Sequence, residues 1–238
     1  MSDRSRSERR ARQLPLALDH RPAQTRDDLV VTAANREAVA LVDRWPDWPS
    51  YLAVLVGPPG SGKSHLGAVW RERSDAIELR AGAFELPQVD DSGRLPAVLI
   101  DDADAPGLDE KALFHLLNAA RGAGSSVLLT ARRGSANWGV RLPDLASRLN
   151  AAALAEIGAP DDALLQGVIA KLFADRQVEV EPQVAQFVVR RMERSLTAAM
   201  RLVAALDRAA LERKSRITRA LAAEVLEEPP FEPQVPES

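Results

Sequence analysis

YLAVLV (Tyr51–Val56) followed directly by GPPGSGKS (Gly57–Ser64) decides the fold of this chain. Six apolar residues in a row, ending at a glycine, are the pattern of a strand buried on both faces of a parallel sheet. The next eight fit G-x-x-x-x-G-K-[ST], the phosphate-cradling loop between a strand and a helix. Gly57, Gly60 and Gly62 leave room for backbone N–H groups to crowd around phosphate oxygens, where a Cβ would obstruct the approach. Pro58, Pro59 and Ser61 complete the loop. Lys63 supplies a point charge for the β- and γ-phosphates of a bound ADP or ATP, and the Ser64 hydroxyl is a ligand for the accompanying Mg2+. A helix starting near Lys63 would turn its positive dipole end toward the same anion.

Working outward, the same grammar repeats. Ala38, Leu41, Val42 and Trp45 recur with helical period. Ile77–Leu79, Ala97–Ile100, SVLLT (Ser126–Thr130) and Ala152–Ile157 read as further strands. Asp109 can cap a helix that carries Leu113, Leu116, Leu117 and Ala120 on one face. Strands alternating with helices predict an α/β fold, a P-loop NTPase with a parallel five-stranded sheet. After Gly158-Ala159-Pro160 the pattern is helical throughout: Leu164, Leu165, Val168, Ile169, Leu172 and Phe173 form one stripe. Val184, Phe187 and Val188 form a second, Leu196, Met200, Val203, Leu206 and Ala210 a third, and Leu221–Leu226 a short fourth. The expectation is a nucleotide-binding domain over 29–159 and a small all-helical lid over 160–226.

Two further segments point at the phosphates. PAVLIDD (Pro96–Asp102) fits the companion strand that ends in acidic residues. Asp101 would hold the Mg2+ shell, and Asp102 would polarise an attacking water. Thr130, closing the next strand, is placed to sense the γ-phosphate or that water. RLPDLASRLN (Arg141–Asn150) follows with Arg141 and Arg148. Each is a solvated surface group on the plain reading, or an arginine that reaches a neighbouring subunit's nucleotide on the sharper one.

Composition bounds the rest. There is no cysteine, which excludes a disulfide framework, a thiolate metal site and a cysteine nucleophile. The histidines His20, His65 and His115 show no ligand spacing. No apolar run approaches the roughly 20 residues that span a bilayer, and the amino terminus lacks the apolar centre of a secretory signal. The expected compartment is the cytoplasm. A net charge of −3 argues against a dedicated nucleic-acid-binding domain. The charge is uneven: residues 1–12 read as a disordered arginine-rich leader and 227–238 as an acidic tail.

Between leader and body lies Gln13-Leu14-Pro15-Leu16-Ala17-Leu18, followed by a polar tether over 19–28. Six residues are too few for a stable helix, and Pro15 bars a central strand. Leucines at alternate positions of an extended peptide would fill pockets on a partner while a polar end fixes register. The alternative is a stub packed on the protein's own surface.

Taken in order, GPPGSGKSHL, AVLIDD, SVLLT, LPDLASRL and RSLTAAMRLVAALDRAAL resemble the DnaA-type AAA+ proteins, and among them the Hda family of DnaA-inactivating regulators. Lys63-Ser64-His65-Leu66 is the DnaA-like continuation of the loop and brings His65 into the nucleotide-binding run. The resemblance implies an ADP-favouring nucleotide switch with weak intrinsic ATPase activity. It implies that Arg148 acts as an arginine finger on DnaA-ATP. It also implies that Gln13, Leu14, Leu16 and Leu18 dock on the sliding clamp, the β subunit of DNA polymerase III, and that the chain forms a homo-oligomer. DnaA initiators continue into a DNA-binding domain, whereas here a Pro/Glu tail follows the lid. The family places a sensor arginine near the start of the third lid helix; Thr197 falls there, with Arg194 and Arg201 a turn away. An autonomous AAA+ ATPase that remodels or loads another replication protein is the alternative. A small-molecule kinase is disfavoured by the helical lid and by Arg148.

Overall fold

The structure is a computed structural model that describes residue 26 and residues 29–82, 84–89 and 94–227. The expected leader, the peptide Gln13–Leu18, the tether apart from Arg26 and the tail beyond Glu227 lie outside the described residues.

Helix α1 (Arg36–Arg44) leads into β1 (Leu52–Val56), α2 (Lys63–Ser74), β2 (Ile77–Arg80), β3 (Val98–Asp101), α3 (Glu110–Ala123) and β4 (Val127–Ala131). Then come α4 (Pro143–Asn150), β5 (Ala153–Glu156) and four closing helices, α5 (Asp162–Asp175), α6 (Pro182–Val189), α7 (Leu196–Arg213) and α8 (Arg219–Glu227). The five strands form one sheet in the order β2-β3-β4-β1-β5. Every pairing is parallel, so all five carboxyl ends share one edge. The expected five-stranded parallel sheet is present, and β4 runs one residue past Thr130 to Ala131.

Burial explains the strand sequences. β1 and β4 lie inside the sheet with helices on both faces, and every residue of both is buried. β2 and β5 are the edges. β5 alternates buried and exposed, and β2 is largely exposed. One face carries Leu52, Val54, Ile100 and Leu129 against Leu113, Leu116 and Leu117 of α3 and Leu145 and Leu149 of α4. The opposite face carries Ala53, Leu55, Leu99 and Leu128 against α1 and α2. A third apolar cluster is built by α5–α8 alone. The sequence stripes therefore divide into a three-layer sandwich and a helical bundle.

Capping follows the sequence signals. Asp109 accepts a bond from Ala112 N–H at 2.9 Å, as expected, and Asp161 accepts from Leu164 N–H at 2.7 Å. Helix α4 carries Pro143 in its first turn, where the missing N–H has no intrahelical partner to lose.

The second face is closed by a tryptophan cluster. Trp70 on α2 is fully buried. Trp48 stacks on it at 5.4 Å between ring centroids, and Trp45 meets it edge-on at 6.3 Å. Trp45 Nε1 donates to Ser126 Oγ at 3.1 Å and Trp48 Nε1 donates to the Leu41 carbonyl at 2.7 Å. The cluster fixes α2, and with it the loop that α2 follows, against the sheet. Trp70→Ala should cost about 3–5 kcal/mol of stability by opening a cavity. Urea unfolding monitored by circular dichroism measures it. Trp70→Phe should cost clearly less, because it keeps most of the ring and removes an indole N–H that has no hydrogen-bond partner.

Candidate functional site

The strand order sets β3, β4 and β1 side by side. Their carboxyl ends bring together Asp101, Asp102, Thr130 and the Gly57–Ser64 loop, residues spread over more than seventy positions of sequence. This edge is where open parallel sheets place ligands.

The loop is shaped by contacts only glycine permits. Gly57 donates its N–H to the Ala131 carbonyl at 3.1 Å. A Cβ at Gly57 would stand 2.6 Å from the Ile157 carbonyl oxygen. Gly60 and Gly62 have φ of +70° and +102°, backbone that side chains disfavour. Gly62 caps α2, so the unpaired N–H groups of the first turn open at the loop. Lys63 is buried, and its ammonium donates to the Pro58 carbonyl at 3.0 Å. Burial pushes its pKa below the ordinary lysine range, while the charges of Asp102 and Asp101 pull it back up. A buried cation in this position favours an anion beside it. Ser61 is buried with its hydroxyl unpartnered.

The carboxylates are laced to β4. Thr130 donates its hydroxyl to Asp101 Oδ1 at 2.5 Å and accepts from Asp102 N–H at 2.9 Å. Ala103 N–H donates to the Thr130 carbonyl at 2.7 Å. Asp102 adopts φ +49°, which turns the chain sharply out of β3. Two residues on, Asp104 accepts from Arg132 N–H at 3.0 Å, with its side chain 3% exposed. Arg132 in turn lies 3.6 Å from Asp102, and Arg133 lies 3.7 Å from Asp104. Sequence reading picked out Asp101, Asp102 and Thr130. It missed Asp104, Arg132 and Arg133, whose roles exist only once β3 and β4 are neighbours. The run of three aspartates in DDAD beside a TARR segment was the available signal.

The helical bundle presses onto the loop. Leu196 N–H donates to the Gly60 carbonyl at 2.7 Å. Ser195, the cap of α7, fills the space where a side chain at Gly60 would begin, 2.2 Å from that position. Beside this contact a cleft of about 240 Å3 runs between the Gly60–Leu66 segment and helices α5 and α7. Leu29, Val30, Leu164, Val168, Leu172 and Met200 give it an apolar wall, and His65 and Thr197 also line it. Arg194 is engaged elsewhere, bonded to the Pro160 carbonyl at 3.3 Å and paired with Asp162 at 2.6 Å. Arg201 is exposed on α7 and is not among the residues lining the cleft.

Arg148 is remote from all of this. It donates to the Tyr51 hydroxyl at 3.3 Å and lies 5.0 Å from the centre of the Phe114 ring. Tyr51 precedes β1, whereas the loop follows it; five residues of strand separate them by about 16 Å. Arg141 is held at the backbone, its N–H donating to Glu110 Oε2 at 3.0 Å. Among the described residues, no group of three or more His, Asp or Glu side chains could hold a metal ion unaided. No helix there is long and apolar enough to cross a membrane.

Comparison with known proteins follows the same lines. Residues 167–226 match the family described as "Hda, lid domain". Domain III of the replication initiation protein DnaA from Thermotoga maritima has a similar fold, with a TM-score of 0.73, 17% identity, and coverage of 87% of this chain and 97% of that one. AMPPCP-bound DnaA from Aquifex aeolicus gives 0.65 at 17% identity, covering 81% and 68%. A RuvB variant from Thermotoga maritima gives 0.64 at 19% identity, covering 86% and 71%. The fold of the sheet and the helices around it is thus similar to that of these DnaA and RuvB structures. The family match adds that the segment from α5 to α8, over residues 167–226, resembles an Hda lid domain.

Proposed function

We propose that this chain is a nucleotide-bound regulator of replication initiation that stimulates ATP hydrolysis by DnaA. The observation that carries the reading is the division of the molecule into two ends. A phosphate cradle with Lys63, Asp101, Asp102 and Thr130 sits at the carboxyl edge of the sheet. Arg148 sits at the amino edge, beside Tyr51. An arginine there is out of reach of the chain's own cradle and would leave Tyr51 and Phe114 to serve a nucleotide held by another molecule.

The residues present fit an adenine nucleotide. The apolar wall of the cleft suits a base, and the loop N–H groups with Lys63 suit the diphosphate. DnaA from Aquifex aeolicus, of the same fold, is described with AMPPCP bound. Ser64 and Asp101 offer the oxygen donors that Mg2+ prefers, and the ion when bound would neutralise phosphate charge. Asp102 and Thr130 would orient water, and His65 would line the slot. With Thr197 where the family carries a sensor arginine, the chain's own turnover is slow and ADP is its resting ligand.

The productive hydrolysis then takes place on DnaA. Arg148 would approach the DnaA-bound triphosphate and stabilise charge as it develops, an effect worth about 10³–10⁵ in rate for such arginines. Gln13, Leu14, Leu16 and Leu18, outside the described residues, would dock the cytoplasmic chain on the sliding clamp. Burying two leucines gives roughly 3–6 kcal/mol before ordering losses. A homo-oligomer would engage a symmetric clamp more than once and gain by avidity.

A reconstituted assay with clamp, DNA and DnaA-ATP tests each part. Lys63→Ala should lose at least tenfold in ADP affinity by fluorescent-nucleotide titration while keeping its thermal unfolding profile. Arg148→Ala should bind ADP and clamp normally yet lower stimulation of DnaA hydrolysis by about 10³ or more; unchanged stimulation would remove Arg148 from the mechanism. Gln13→Ala with Leu16→Ala should abolish clamp pull-down and leave ADP binding intact. Rapid intrinsic turnover indifferent to DnaA would instead favour an autonomous remodelling ATPase.

A further inference from the structure

The loops after β3 and β4 hold a charged cluster that the proposed nucleotide chemistry does not use. Asp104, buried, accepts from the backbone N–H of Arg132 and faces the guanidinium of Arg133. The carbonyl of Arg133 is also occupied, accepting from Trp138 Nε1 at 2.7 Å. The backbones of Arg132 and Arg133 are thus fixed to the body, while the exposed Arg133 guanidinium faces Asp104 across 3.7 Å. The guanidinium of Arg132 faces a different carboxylate, at the nucleotide edge. It meets Asp102 across 3.6 Å, with the two side chains 57% and 46% exposed. Exposed pairs at that distance are weak. A firmly anchored backbone therefore carries a loosely held cation, next to Thr130 and within electrostatic range of Lys63.

We propose that Arg132 is a phosphate-sensing arginine acting on the chain's own nucleotide: it pairs with Asp102 when the site holds a diphosphate and moves to the terminal phosphate when the site holds a triphosphate. This rests on the nucleotide reading above and deepens it. Asp102 is the residue expected to polarise water, and in the paired arrangement its carboxylate faces a guanidinium instead. One side chain thus has two mutually exclusive anionic partners. A terminal phosphate carries more charge than one carboxylate and offers several acceptor oxygens in the geometry a guanidinium fork prefers. Diphosphate offers no such group beyond the loop, so the Asp102 pair persists. The device would compensate for Thr197 standing where a sensor arginine is expected, from the sheet side of the cleft rather than the lid side.

The test compares ADP with the non-hydrolysable analogue AMPPCP by competition against a fluorescent nucleotide, with the full chain and Mg2+ present. Arg132→Ala should weaken AMPPCP about tenfold, the loss of one charge-assisted contact, and change ADP less than twofold. Arg132→Lys should recover part of the AMPPCP affinity. Asp102→Asn should tighten AMPPCP more in the Arg132 background than in Arg132→Ala, because only there does it release a competing partner. Equal weakening of both nucleotides, no weakening of either, or additive effects of the two substitutions would overturn the proposal while leaving the nucleotide reading standing. Failure of the unsubstituted chain to bind either nucleotide would overturn both. Thermal unfolding of each variant without nucleotide separates these losses from misfolding.

Discussion

The hydrogen bond from Leu196 N–H to the Gly60 carbonyl, with Ser195 packed where a side chain at position 60 would be, joins the two halves of this molecule. It is possible only because Gly60 has no Cβ and takes a positive φ. The phosphate loop is therefore shaped from both sides. β1 and α2 set its ends, and the helix that opens at Leu196 sets its crest. Whatever changes the loop is felt by the bundle, and movement of the bundle is felt by the loop. Coupling of this kind suits the nucleotide switch proposed above, in which the nucleotide would set a conformation more than feed a cycle.

Much of this architecture was legible in the chain. Two of the three interior strands, β1 and β4, announced themselves as uninterrupted apolar runs because they are covered on both faces, and the glycine spacing of Gly57–Ser64 marked the loop between β1 and α2. Other parts were silent for physical reasons. Helix α4 is only eight residues long and buries just Leu145 and Leu149, too little for a helical period to stand out. Trp45 and Trp48 sit in a connection, and nothing local says that both will meet Trp70. Thr130 was readable as the end of a strand, but its bond to Asp101 spans 29 residues and exists only because β3 and β4 are adjacent. Asp104 and Arg132 look like solvent-facing charges until the same adjacency brings them together.

The placement of charge follows the division of labour between the sheet's two edges. Carboxylates and the buried lysine gather at the carboxyl edge, where strand ends and a helix start converge on one spot. Arg148 lies at the other edge, its guanidinium over the Phe114 ring and donating to the Tyr51 hydroxyl. On the proposed reading, a chain built this way would carry a cradle for one phosphate group and an arginine for another, facing apart. On that reading, head-to-tail contact between such molecules would pair arginine with cradle without rearranging either core.

One more feature bears on how the chain would respond to being held. Val30 sits where a side chain at Gly167 would begin, 2.8 Å from that position, so the strand of chain ahead of α1 is wedged into a notch on α5. The carbonyl of Val30 is bonded by Asn35 Nδ2 at 2.8 Å, which fastens the wedge to α1. A pull on the residues before Leu29 would meet the Arg26–Asp43 pair on α1 and then the seam between the bundle and the sheet. Load applied there would reach α1 and the apolar wall of the cleft before it reached any strand, which would make the segment ahead of α1 a mechanical handle on whatever the cleft holds.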